Sequence, residues 1–390
     1  MSRWRTIIDI AMGAPSRPEG LRPLRVMHFV TGGFSGATQV AVDLCLAALE
    51  GDAMEAVLVL RRKRNTDVAR VEALRAQGLR VWVVPGWSHA ATIVALRNLA
   101  LTLRPDVLVA HGFSEHIWGR YAGLWAGVPK LVHVEHNSRE RYTRWRLAQS
   151  RWLARRSAAL VGVSEGVRDR LIELEFPAER CVAIPNGVDL ERFPAAQLLP
   201  MAERLPGLVM AARFARQKDQ ATLIEALALL AQKGLHPPLY FAGLGKKTLL
   251  NHAQGRVRAH GLDSQVHFLG QVSDLPQRLM RSPLFVLSTH YEGMPLALVE
   301  AMAAGCACVA SDVVGVRGVI DPGKTGELVP EGDPAALAAV LERLLTHPAE
   351  AARLGRAARQ AAETRFDRHL MHARYAQLLL GLSRSPEAGD

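Results

Sequence analysis

Short segments of β-branched and apolar residues alternate with longer amphipathic segments from Arg25 onward. This alternation is typical of βαβ units, in which helices join parallel strands and cover both faces of a sheet. It stops once, in a proline-containing stretch over residues 194–206, and restarts with a new apolar segment at 208–212. The sequence therefore predicts an α/β protein with two Rossmann-like, doubly wound parallel-sheet domains.

The same pattern predicts the individual elements. Seven strands are expected before the interruption, over residues 25–30, 56–60, 80–84, 107–110, 130–135, 159–163 and 181–184. Five strands are expected after it, over residues 208–212, 239–242, 266–269, 284–287 and 306–310. The helices of the second half are expected over about 219–233, 246–260, 274–281 and 295–304. From Asp333 to about Leu382, helical spacing predicts a helical tail in which Asp333 caps a first turn that begins at Pro334.

The 390 residues suit two domains of ordinary size. We expect an N-terminal extension over residues 1–23, a first domain over 24–195 and a second over 196–365. Residues 366–390 are expected to form a C-terminal helix that packs back on the first domain. Two Rossmann-like sheets in tandem would place a cleft between their carboxyl ends, where open α/β folds bind ligands.

The composition indicates a packed protein that needs neither disulfides nor a structural metal, since 49% of the residues are hydrophobic and 22% are charged. Each of the four cysteines lies in an apolar stretch, which predicts buried, reduced thiols; they are Cys45, Cys181, Cys306 and Cys308. No second Cys or His pair completes a zinc site around the last two. Asp9 interrupts an N-terminal apolar run that is already too short for a secretory signal. These features predict a cytoplasmic protein.

The net charge of +11 is uneven, since residues 1–190 carry +8 and residues 191–390 carry +3. A basic surface favours anionic partners such as phosphorylated substrates, acidic lipid headgroups or nucleic acid. The stretch over 139–156 contains seven arginines, together with Tyr142, Trp145 and Trp152, and predicts a helix. One interpretation is an apolar stripe against the domain with the arginines in water. The other is a helix lying on an anionic membrane, to which the basic run at 61–64 would add.

The segment YEGMPLALVEAMAAG, over residues 291–305, predicts a turn that opens a short helix. Pro295 suits the first helical position, because its missing N–H would have had no partner there. The free amides of Met294, Leu296 and Ala297 would lie at the positive end of the helix dipole and could hold a phosphate.

Two carboxylates flank this helix start. Glu292 lies in the turn, and Glu300 lies between apolar residues inside the helix, where a charge needs a partner. Sugar hydroxyls would be one such partner, and an internal salt bridge would be another. The residues alone leave both open.

A second anion-binding element is predicted in the segment AARFARQKD, over residues 211–219, which follows the first strand of the second domain. Ligands gather at the carboxyl ends of parallel strands, and Arg213 and Lys218 could reach one anion from a single loop. The alternative is that both are solvated surface cations.

In content and order, these segments resemble the retaining glycosyltransferases of family 4, which have the two-domain GT-B fold. The resemblance covers roughly residues 25–382. The matching segments are TGGFSGATQVAVDL, HGFSEH, VEHNS, VGVSEGVRDRL, IPNGVDLERF, AARFARQKD, LYFAGLGKK, VHFLGQVSDLP and THYEGMPLALVEAMAAGCACVASDVVG.

The resemblance implies a role for each matching residue. Arg213 and Lys218 would bind the donor diphosphate, and Glu292 and Glu300 match the family's E-x7-E motif. Glu300 would bind the ribose hydroxyls, while Glu292 and the following amides would hold the transferred sugar and phosphate. From the first, acceptor-binding domain, His136 would bind the donor sugar. The implied donor-binding set is Gly33, Arg213, Lys218, Glu292, Gly293, Met294, Leu296 and Glu300, and the residues implied in catalysis are His136, Arg213, Lys218 and Glu292.

Two departures from the family pattern are visible. Ala212 replaces the usual Gly before Arg213, and Leu244 replaces the Asp of a frequent Gly-Asp-Gly turn. Neither change removes an implied site residue.

The resemblance implies transfer of a sugar from a nucleotide diphosphate donor to a glycan or lipid-linked acceptor in the synthesis of cell-surface polysaccharide or glycolipid. The donor is a substrate, so no cofactor is expected, and no D-x-D metal motif is present. Peripheral attachment to the inner face of the plasma membrane is a further hypothesis. The alternatives are a membrane-binding or nucleic-acid-binding protein without transferase activity, for which no recognition motif is present, a nucleotide-sugar epimerase of the same fold, and a sugar phosphorylase.

Overall fold

Two separate parallel sheets organise the chain, and the computed structural model describes residues 22–112, 115–139 and 142–384. Among the described residues, internal contacts define two compact units, with divisions after Pro185 and Leu370: the first contains the residues before and after these divisions, and the second contains residues 186–370. These divisions lie at other positions than the boundaries at 195/196 and 365/366 expected from the sequence. The N-terminal extension expected over residues 1–23 lies outside the described residues, apart from Arg22 and Pro23.

The first unit contains a seven-stranded sheet in the order β3-β2-β1-β4-β5-β6-β7. All of its pairings are parallel. The strands are β1 (Leu24–Thr31), β2 (Met54–Arg61), β3 (Arg80–Val84), β4 (Val107–His111), β5 (Lys130–Glu135), β6 (Ala159–Gly162) and β7 (Cys181–Ala183). The helices are α1 (Gly36–Leu49), α2 (Val68–Ala76), α3 (His89–Leu103), α4 (Glu115–Trp125), α5 (Arg144–Ala154) and α6 (Glu165–Glu173).

Strand β2 shows why these segments form a sheet that is covered on both faces. Successive side chains of a strand point to opposite faces. Accordingly, Val57 and Val59 belong to one buried cluster with residues of α3, whereas Leu58 and Leu60 belong to another with residues of α1 and α2. An uninterrupted apolar run is therefore what a central parallel strand requires.

The second unit contains a six-stranded parallel sheet in the order β10-β9-β8-β11-β12-β13. The strands are β8 (Leu208–Ala211), β9 (Leu239–Ala242), β10 (Val266–Gly270), β11 (Leu284–Leu287), β12 (Ala307–Ser311) and β13 (Glu327–Val329). The helices are α7 (Gln220–Gln232), α8 (Lys247–Ala259), α9 (Leu275–Met280), α10 (Leu296–Ala303), α11 (Pro334–Thr346) and α12 (Pro348–Arg365). A last helix, α13 (Arg368–Arg384), begins in this unit and continues into the first.

The two parallel, doubly wound sheets confirm the predicted fold class, and each of the twelve predicted strands is present. Strand β13 was not predicted. The expected helical tail consists of three helices, because one helix ends at Thr346 and the next ends at Arg365. Its start is as predicted, since Asp333 caps the helix by accepting from Ala336 N at 2.9 Å. Pro295, in contrast, is the N-cap of α10 and not its first helical residue.

The strand order reverses between β1 and β4 in one sheet and between β8 and β11 in the other. Loops diverge to opposite faces at such switch points and leave a crevice at the carboxyl ends of the strands. The loops that carry the predicted site residues follow these strands or, for His136, the adjacent strand β5. The topology therefore places each group at a ligand-binding edge of its own sheet.

A buried arginine fixes the far end of α10. The Arg204 guanidinium donates to the carbonyl oxygens of Ser282, Ala304 and Gly305 at 3.0, 3.0 and 3.1 Å. The last carbonyls of a helix have no intrahelical partner, and a cation complements their negative dipole end. Arg204 thus anchors the helix whose other end carries the candidate site.

All four cysteines are buried and unpaired, as predicted. Burial raises the pKa of the Cys306 thiol to about 12 and that of Cys181 to about 11. These thiols therefore stay protonated and act as small apolar groups. Among the described residues, none of the helices combines the length and the hydrophobicity needed to cross a bilayer.

Candidate active site

Two loops of the second unit meet at the switch point of its sheet. One runs from β8 to α7 and carries Arg213 and Lys218, and the other runs from β11 to α10 and carries Glu292. They are joined through the backbone, because His290 N donates to Gln217 O at 2.9 Å. The predicted anion-binding loop and the predicted helix start therefore form one structure.

Glu292 is buried in a network of donors. Lys218 Nζ forms an ion pair with Glu292 Oε1. Gln217 Nε2 donates to Glu292 Oε2 at 3.2 Å and to Tyr291 O at 2.6 Å. Thr289 Oγ1 lies 3.0 Å from Glu292 Oε1 and 2.9 Å from Gln217 O, so its single proton can serve only one of them. The carboxylate is thus held in place with its charge offset by Lys218.

Arg213 lies beside this network but outside it. Its side chain is exposed, and its guanidinium forms no ion pair within the described residues. Only its carbonyl oxygen is used, as the acceptor for Gln220 Nε2 at 3.0 Å. Of the two predicted diphosphate ligands, Arg213 is therefore a free cation and Lys218 already has a carboxylate partner.

The departure at Leu244 has a structural explanation. A Cβ on Gly243 would lie 2.2 Å from Ala212 O, and one on Gly245 would lie 2.3 Å from Phe214 O. Both glycines are thus required by the close approach of this turn to the Arg213 loop. Leu244 itself is exposed, so the middle position accepts a different side chain without disturbing the loop.

The start of α10 is held from two sides. Met294 is buried, and its sulfur accepts from Asn186 N at 3.0 Å. A Cβ on Gly315 would lie 2.2 Å from Glu292 O and 2.5 Å from Gly293 O, so only glycine fits against this turn. Like those of every helix, the first N–H groups of α10, beginning at Leu296, have no intrahelical acceptor. The arrangement leaves amides available for an anion.

Glu300 has an internal partner of the kind that the sequence left open. Arg192 Nη1 lies 2.8 Å from Glu300 Oε1, with side-chain exposures of 47% and 15% respectively. Burial raises the pKa of Glu300, and the nearby Arg192 opposes this rise. Because Arg192 contacts Oε1, the other carboxylate oxygen of Glu300 is left as an acceptor.

In the first unit, Gly33 follows β1 and His136 follows β5. A Cβ on Gly33 would meet only Thr31 Oγ1, at 3.8 Å, so no packing contact demands glycine there. On the preceding residue, Gly32, a Cβ would lie 2.7 Å from Arg61 O. Packing against Arg61 therefore explains why residue 32 is a glycine. Packing within the unit does not explain why residue 33 is one.

His136 is positioned by the residue before it. Glu135 is buried, and its Oε1 accepts from His136 N at 2.9 Å and from Asn137 N at 3.2 Å. Burial lowers the pKa of His136 to about 3, so its imidazole is neutral near pH 7. His136 can therefore exchange hydrogen bonds with a hydroxyl group but does not act as a cation.

The other oxygen of Glu135 belongs to a second buried network. Arg120 Nη2 donates to His116 Nδ1 at 2.7 Å, His116 Nε2 lies 3.2 Å from Tyr142 Oη, and Tyr142 donates to Glu135 Oε2 at 3.4 Å. His133 Nε2 lies 3.5 Å from the same oxygen. Arg120 is fully buried, and burial lowers its pKa to about 10, so it remains charged near neutral pH and offsets Glu135.

Potential metal ligands of His116, His133 and Glu135 lie within 4.8 Å of one another. Arginine can only donate, so Nδ1 of His116 must accept and its proton must reside on Nε2. That proton points to Tyr142, so His116 offers no free lone pair in this state. A divalent cation would also lie close to Arg120. The cluster therefore fits a hydrogen-bonded network better than a metal site, and the expectation of no metal stays a prediction.

The helix predicted over the basic aromatic stretch is confirmed only for Arg144–Ala154, which forms α5; Tyr142 precedes the helix, and Glu140 and Arg141 lie outside the described residues. The interpretation as an apolar stripe is wrong for Trp145, which is 74% exposed. The prediction that Arg61 contributes to a basic surface is also wrong, because its side chain is buried and its Nη1 forms an ion pair with Glu115 Oε1 at 3.3 Å.

Seven of the predicted site residues belong to the second unit and lie on loops or the helix at the edge of its sheet, namely Arg213, Lys218, Glu292, Gly293, Met294, Leu296 and Glu300. Gly33 and His136 lie at the first sheet. Sequence reasoning missed the residues that hold these groups, namely Glu135, Arg192, Gln217, Thr289 and Gly315. All five lie inside the segments that match the family, and this membership was the available clue.

Comparison with known proteins supports what the fold and these loops suggest. Residues 34–192 match the family model described as Glycosyltransferase Family 4, and residues 198–361 match the model described as Glycosyl transferases group 1. Together the two models span most of the chain. The chain belongs to the family 4, group 1 glycosyltransferases, and this assignment favours a transferase over the epimerase, phosphorylase and non-enzyme alternatives.

Particular relatives point the same way. The chain is 30% identical over 240 residues to the UDP-Gal:alpha-D-GlcNAc-diphosphoundecaprenol alpha-1,3-galactosyltransferase of Escherichia coli, an alignment that spans 57% of this chain and 62% of that enzyme. It is 29% identical over 292 residues to glycogen synthase of Mycobacterium tuberculosis, spanning 72% of this chain and 70% of that one. Anabaena HepE, solved with UDP and glucose, superposes with a TM-score of 0.79 at 21% identity, over 92% of this chain and all of HepE. The last likeness shows the GT-B fold.

Proposed function

We propose that this chain transfers a sugar from a nucleotide diphosphate donor to a glycan or lipid-linked acceptor during synthesis of cell-surface polysaccharide or glycolipid. The observation that carries the proposal is the exposed Arg213 guanidinium, which has no ion pair among the described residues and lies on the same loop as Lys218, the partner of Glu292 in the turn before α10. An unpaired cation, a helix start and a fixed lysine together suit a diphosphate.

The chemistry follows from where charge develops. Departure of a nucleoside diphosphate increases negative charge on the leaving phosphate. Arg213, Lys218 and the first amides of α10 would oppose that charge more strongly in the transition state than in the ground state. Lys218 is already fixed by Glu292, so little reorganisation is needed during the reaction.

Retention of configuration is part of the proposal. In a same-face reaction, the leaving phosphate receives the proton of the acceptor hydroxyl, so no dedicated protein base is required. His136 agrees with this scheme, because a pKa of about 3 makes it too weak a base to compete for the proton while it orients a sugar hydroxyl. Glu292 would accept from hydroxyls of the transferred sugar, and Glu300 from those of the ribose.

A UDP-hexose is the first donor to test. HepE was solved with UDP and glucose, and the E. coli relative is named for UDP-Gal. The named acceptor of that relative is a sugar on diphosphoundecaprenol. For this chain, the excess positive charge of residues 1–190 supports an acceptor that carries phosphate on a lipid.

Attachment to an anionic membrane surface is the second part of the proposal, and exposed tryptophans support it. Trp87 is 83% exposed and Trp145 is 74% exposed. The ring of Tyr121 lies near two further tryptophans: its centroid is 5.8 Å from that of Trp125, at the end of α4, and 6.0 Å from that of Trp152, in α5. Such exposure is costly in water but suits the headgroup region of a bilayer.

Two of these tryptophans have an arginine neighbour. Arg156 lies 3.8 Å over the ring of Trp152, and Arg97 Nε donates to Trp125 O at 3.3 Å. Trp145 and Trp152 are seven residues apart, about two helical turns, so they share one face of α5. Each basic residue near an anionic leaflet contributes about 1 kcal/mol. Exposed aromatic rings near arginines also suit single-stranded nucleic acid, so a salt-dependent mobility shift of DNA or RNA without sugar transfer would favour that alternative.

A thermal-shift panel of nucleotides and nucleotide sugars tests the enzymatic proposal. A ligand at 100 times its dissociation constant stabilises the folded state by about 2.7 kcal/mol. For a domain of this size, that corresponds to a rise in melting temperature of about 5–10 °C. We expect UDP and a UDP-sugar to give such a rise, followed by transfer or slow hydrolysis. No shift with any nucleotide or nucleotide sugar would overturn the proposal.

A further inference from the structure

Three histidines of the first unit form a hydrogen-bonded row across neighbouring strands. His28 lies in β1, His111 ends β4, and His136 follows β5, and these strands are adjacent in the sheet. His28 Nδ1 is 3.0 Å from His111 Nε2, and His111 Nδ1 is 3.2 Å from His136 Nε2. The ring centroids are 5.3 and 5.4 Å apart, with interplanar angles of 30° and 31°. The repeated step follows the spacing of the strands.

The row is buried, and all three rings are neutral near pH 7. His28 and His111 are almost completely inaccessible, and His136 is half-buried. Burial lowers the pKa of His28 to about 4 and that of His136 to about 3, and it lowers the pKa of His111 well below its usual value. Each ring therefore carries one N–H and one lone pair.

Neutral rings in this row have only two consistent arrangements. If His28 donates from Nδ1, then His111 accepts at Nε2, carries its proton on Nδ1 and donates to His136, whose proton is then also on Nδ1. If the direction is reversed, all three protons lie on Nε2. A mixed arrangement is excluded, because it would place two protons or two lone pairs between the nitrogens of one hydrogen bond.

The row ends at Nε2 of the almost inaccessible His28 and at Nδ1 of His136, and the more accessible of these two rings is His136. Its Nδ1 makes no hydrogen bond within the part of the chain that the structure describes. In the first arrangement this atom is a donor, and in the second it is an acceptor. The character of His136 toward a ligand is therefore decided by rings that the ligand does not touch.

We propose that His28, His111 and His136 act as one tautomer-coupled unit, in which His28 and His111 are positioning residues that set whether His136 donates to or accepts from a hydroxyl of the bound sugar. The assignment of a sugar as ligand rests on the proposed function, whereas the coupling does not. A change of arrangement moves one proton across each of the two hydrogen bonds, so a proton gained at Nδ1 of His136 is matched by one lost from Nε2 of His28.

The buried network on the other side of β5 is not part of this unit. Alternate residues of a strand face opposite sides, so His133 and Glu135 point away from the face of His136. Glu135 contacts His136 only through the backbone N–H. Glu135 can therefore hold the position of His136 but cannot set its tautomer.

Nitrogen-15 NMR of histidine-labelled protein tests the coupling directly, because a protonated and an unprotonated ring nitrogen have well-separated shifts. We expect His28, His111 and His136 to show the same tautomer in the unliganded protein and to remain neutral down to about pH 5. Assignment would use through-bond correlations from each backbone amide to its ring, so it does not depend on any variant. A mixed set of tautomers in the parent protein would refute the proposal even if every variant failed to fold.

Two variants sharpen the test. His28→Phe leaves the bond between His111 and His136, so these two rings should still agree in tautomer. His111→Phe breaks the row, so the nitrogen shifts of His136 should change while its backbone shifts remain. Unchanged nitrogen shifts of His136 in a folded His111→Phe protein would overturn the proposal.

Activity supplies a separate readout. Loss of one neutral hydrogen bond to the sugar should lower kcat/KM for the donor about fivefold in His111→Phe, with the dissociation constant for UDP unchanged. An equal loss of UDP affinity would show a general structural effect and count against a positioning role. If no donor binds even to the parent, the proposed function fails, but the NMR result on the coupling stands by itself.

Discussion

Replacing Arg213 by alanine should reduce activity without reducing stability. The side chain is exposed and forms no ion pair in the described part of the chain, so its removal exposes no buried partner. Substitutions at such positions change the free energy of unfolding by about 0.5 kcal/mol or less. The loop itself should keep its conformation, because its contact with Gln220 uses the carbonyl oxygen of residue 213.

The effect on catalysis should be much larger. A charge-assisted hydrogen bond between a guanidinium and a phosphate contributes about 1.5–3 kcal/mol. At about 1.4 kcal/mol for each tenfold change, kcat/KM for the donor should fall by about tenfold to 150-fold. Arg213→Lys should recover only part of this loss, because an ammonium cannot form the paired contacts of a guanidinium.

Arg216 provides the matched control, since it is an exposed arginine on the same loop and also has no ion pair among the described residues. Initial rates with a saturating acceptor and varied UDP-sugar, together with melting curves, would be measured for Arg213→Ala and Arg216→Ala. We expect only the first to lose activity. Near-parental kcat/KM in Arg213→Ala, or equal losses in both variants, would refute a specific diphosphate contact and leave only a general field effect.

Three further predictions concern the pairs and the surface. Lys218→Met should lower the free energy of unfolding by about 3–5 kcal/mol in denaturant titrations, because Glu292 stays buried without its cation; a Glu292→Gln change in that variant should restore stability, and a parental midpoint for Lys218→Met would contradict this reasoning. Arg192→Ala should further raise the already raised pKa of Glu300. A carboxyl with a raised folded pKa contributes stability below its unfolded pKa, and this stability is lost as the pH rises through the folded pKa. The melting temperature of Arg192→Ala should therefore fall further below that of the parent between about pH 4 and pH 7. A difference that stays constant over this range would show that the Glu300 pKa is not affected. Trp145→Ser should weaken co-sedimentation with anionic vesicles at low salt, and equal binding of parent and variant would remove this tryptophan from the membrane surface.

The sequence predicted the strands well because a central parallel strand has to be apolar on both faces. Strand β13 escaped because its three residues, Glu327–Val329, contain only two apolar residues and begin with a charged one, whereas the equally short β7 lies in a continuous apolar run. The break in the helical tail could have been found, since Pro348 is a typical first helical residue. The exposure of Trp145 could not, because helical spacing shows which residues share a face but not whether that face is covered.

The contacts that hold the site escaped for a different reason. Lys218 and Glu292 are 74 positions apart, and Arg192 and Glu300 are 108 apart. Local periodicity carries no information about such distant partners. The sequence indicated which groups lie at the sheet edge only because each of them follows a predicted strand. It left open whether each carboxylate faced a ligand or an internal cation.

The internal cations change how the carboxylates can serve a donor. A carboxylate accepts from sugar and ribose hydroxyls, and it repels a diphosphate unless its own charge is offset. Lys218 at Glu292 and Arg192 at Glu300 supply that offset. Arg213 then remains as the one predicted ligand whose charge is not already balanced among the described residues. Salt bridges inside the site and hydroxyl recognition by the same glutamates are therefore compatible, because an ion pair that uses one carboxylate oxygen leaves the other as an acceptor.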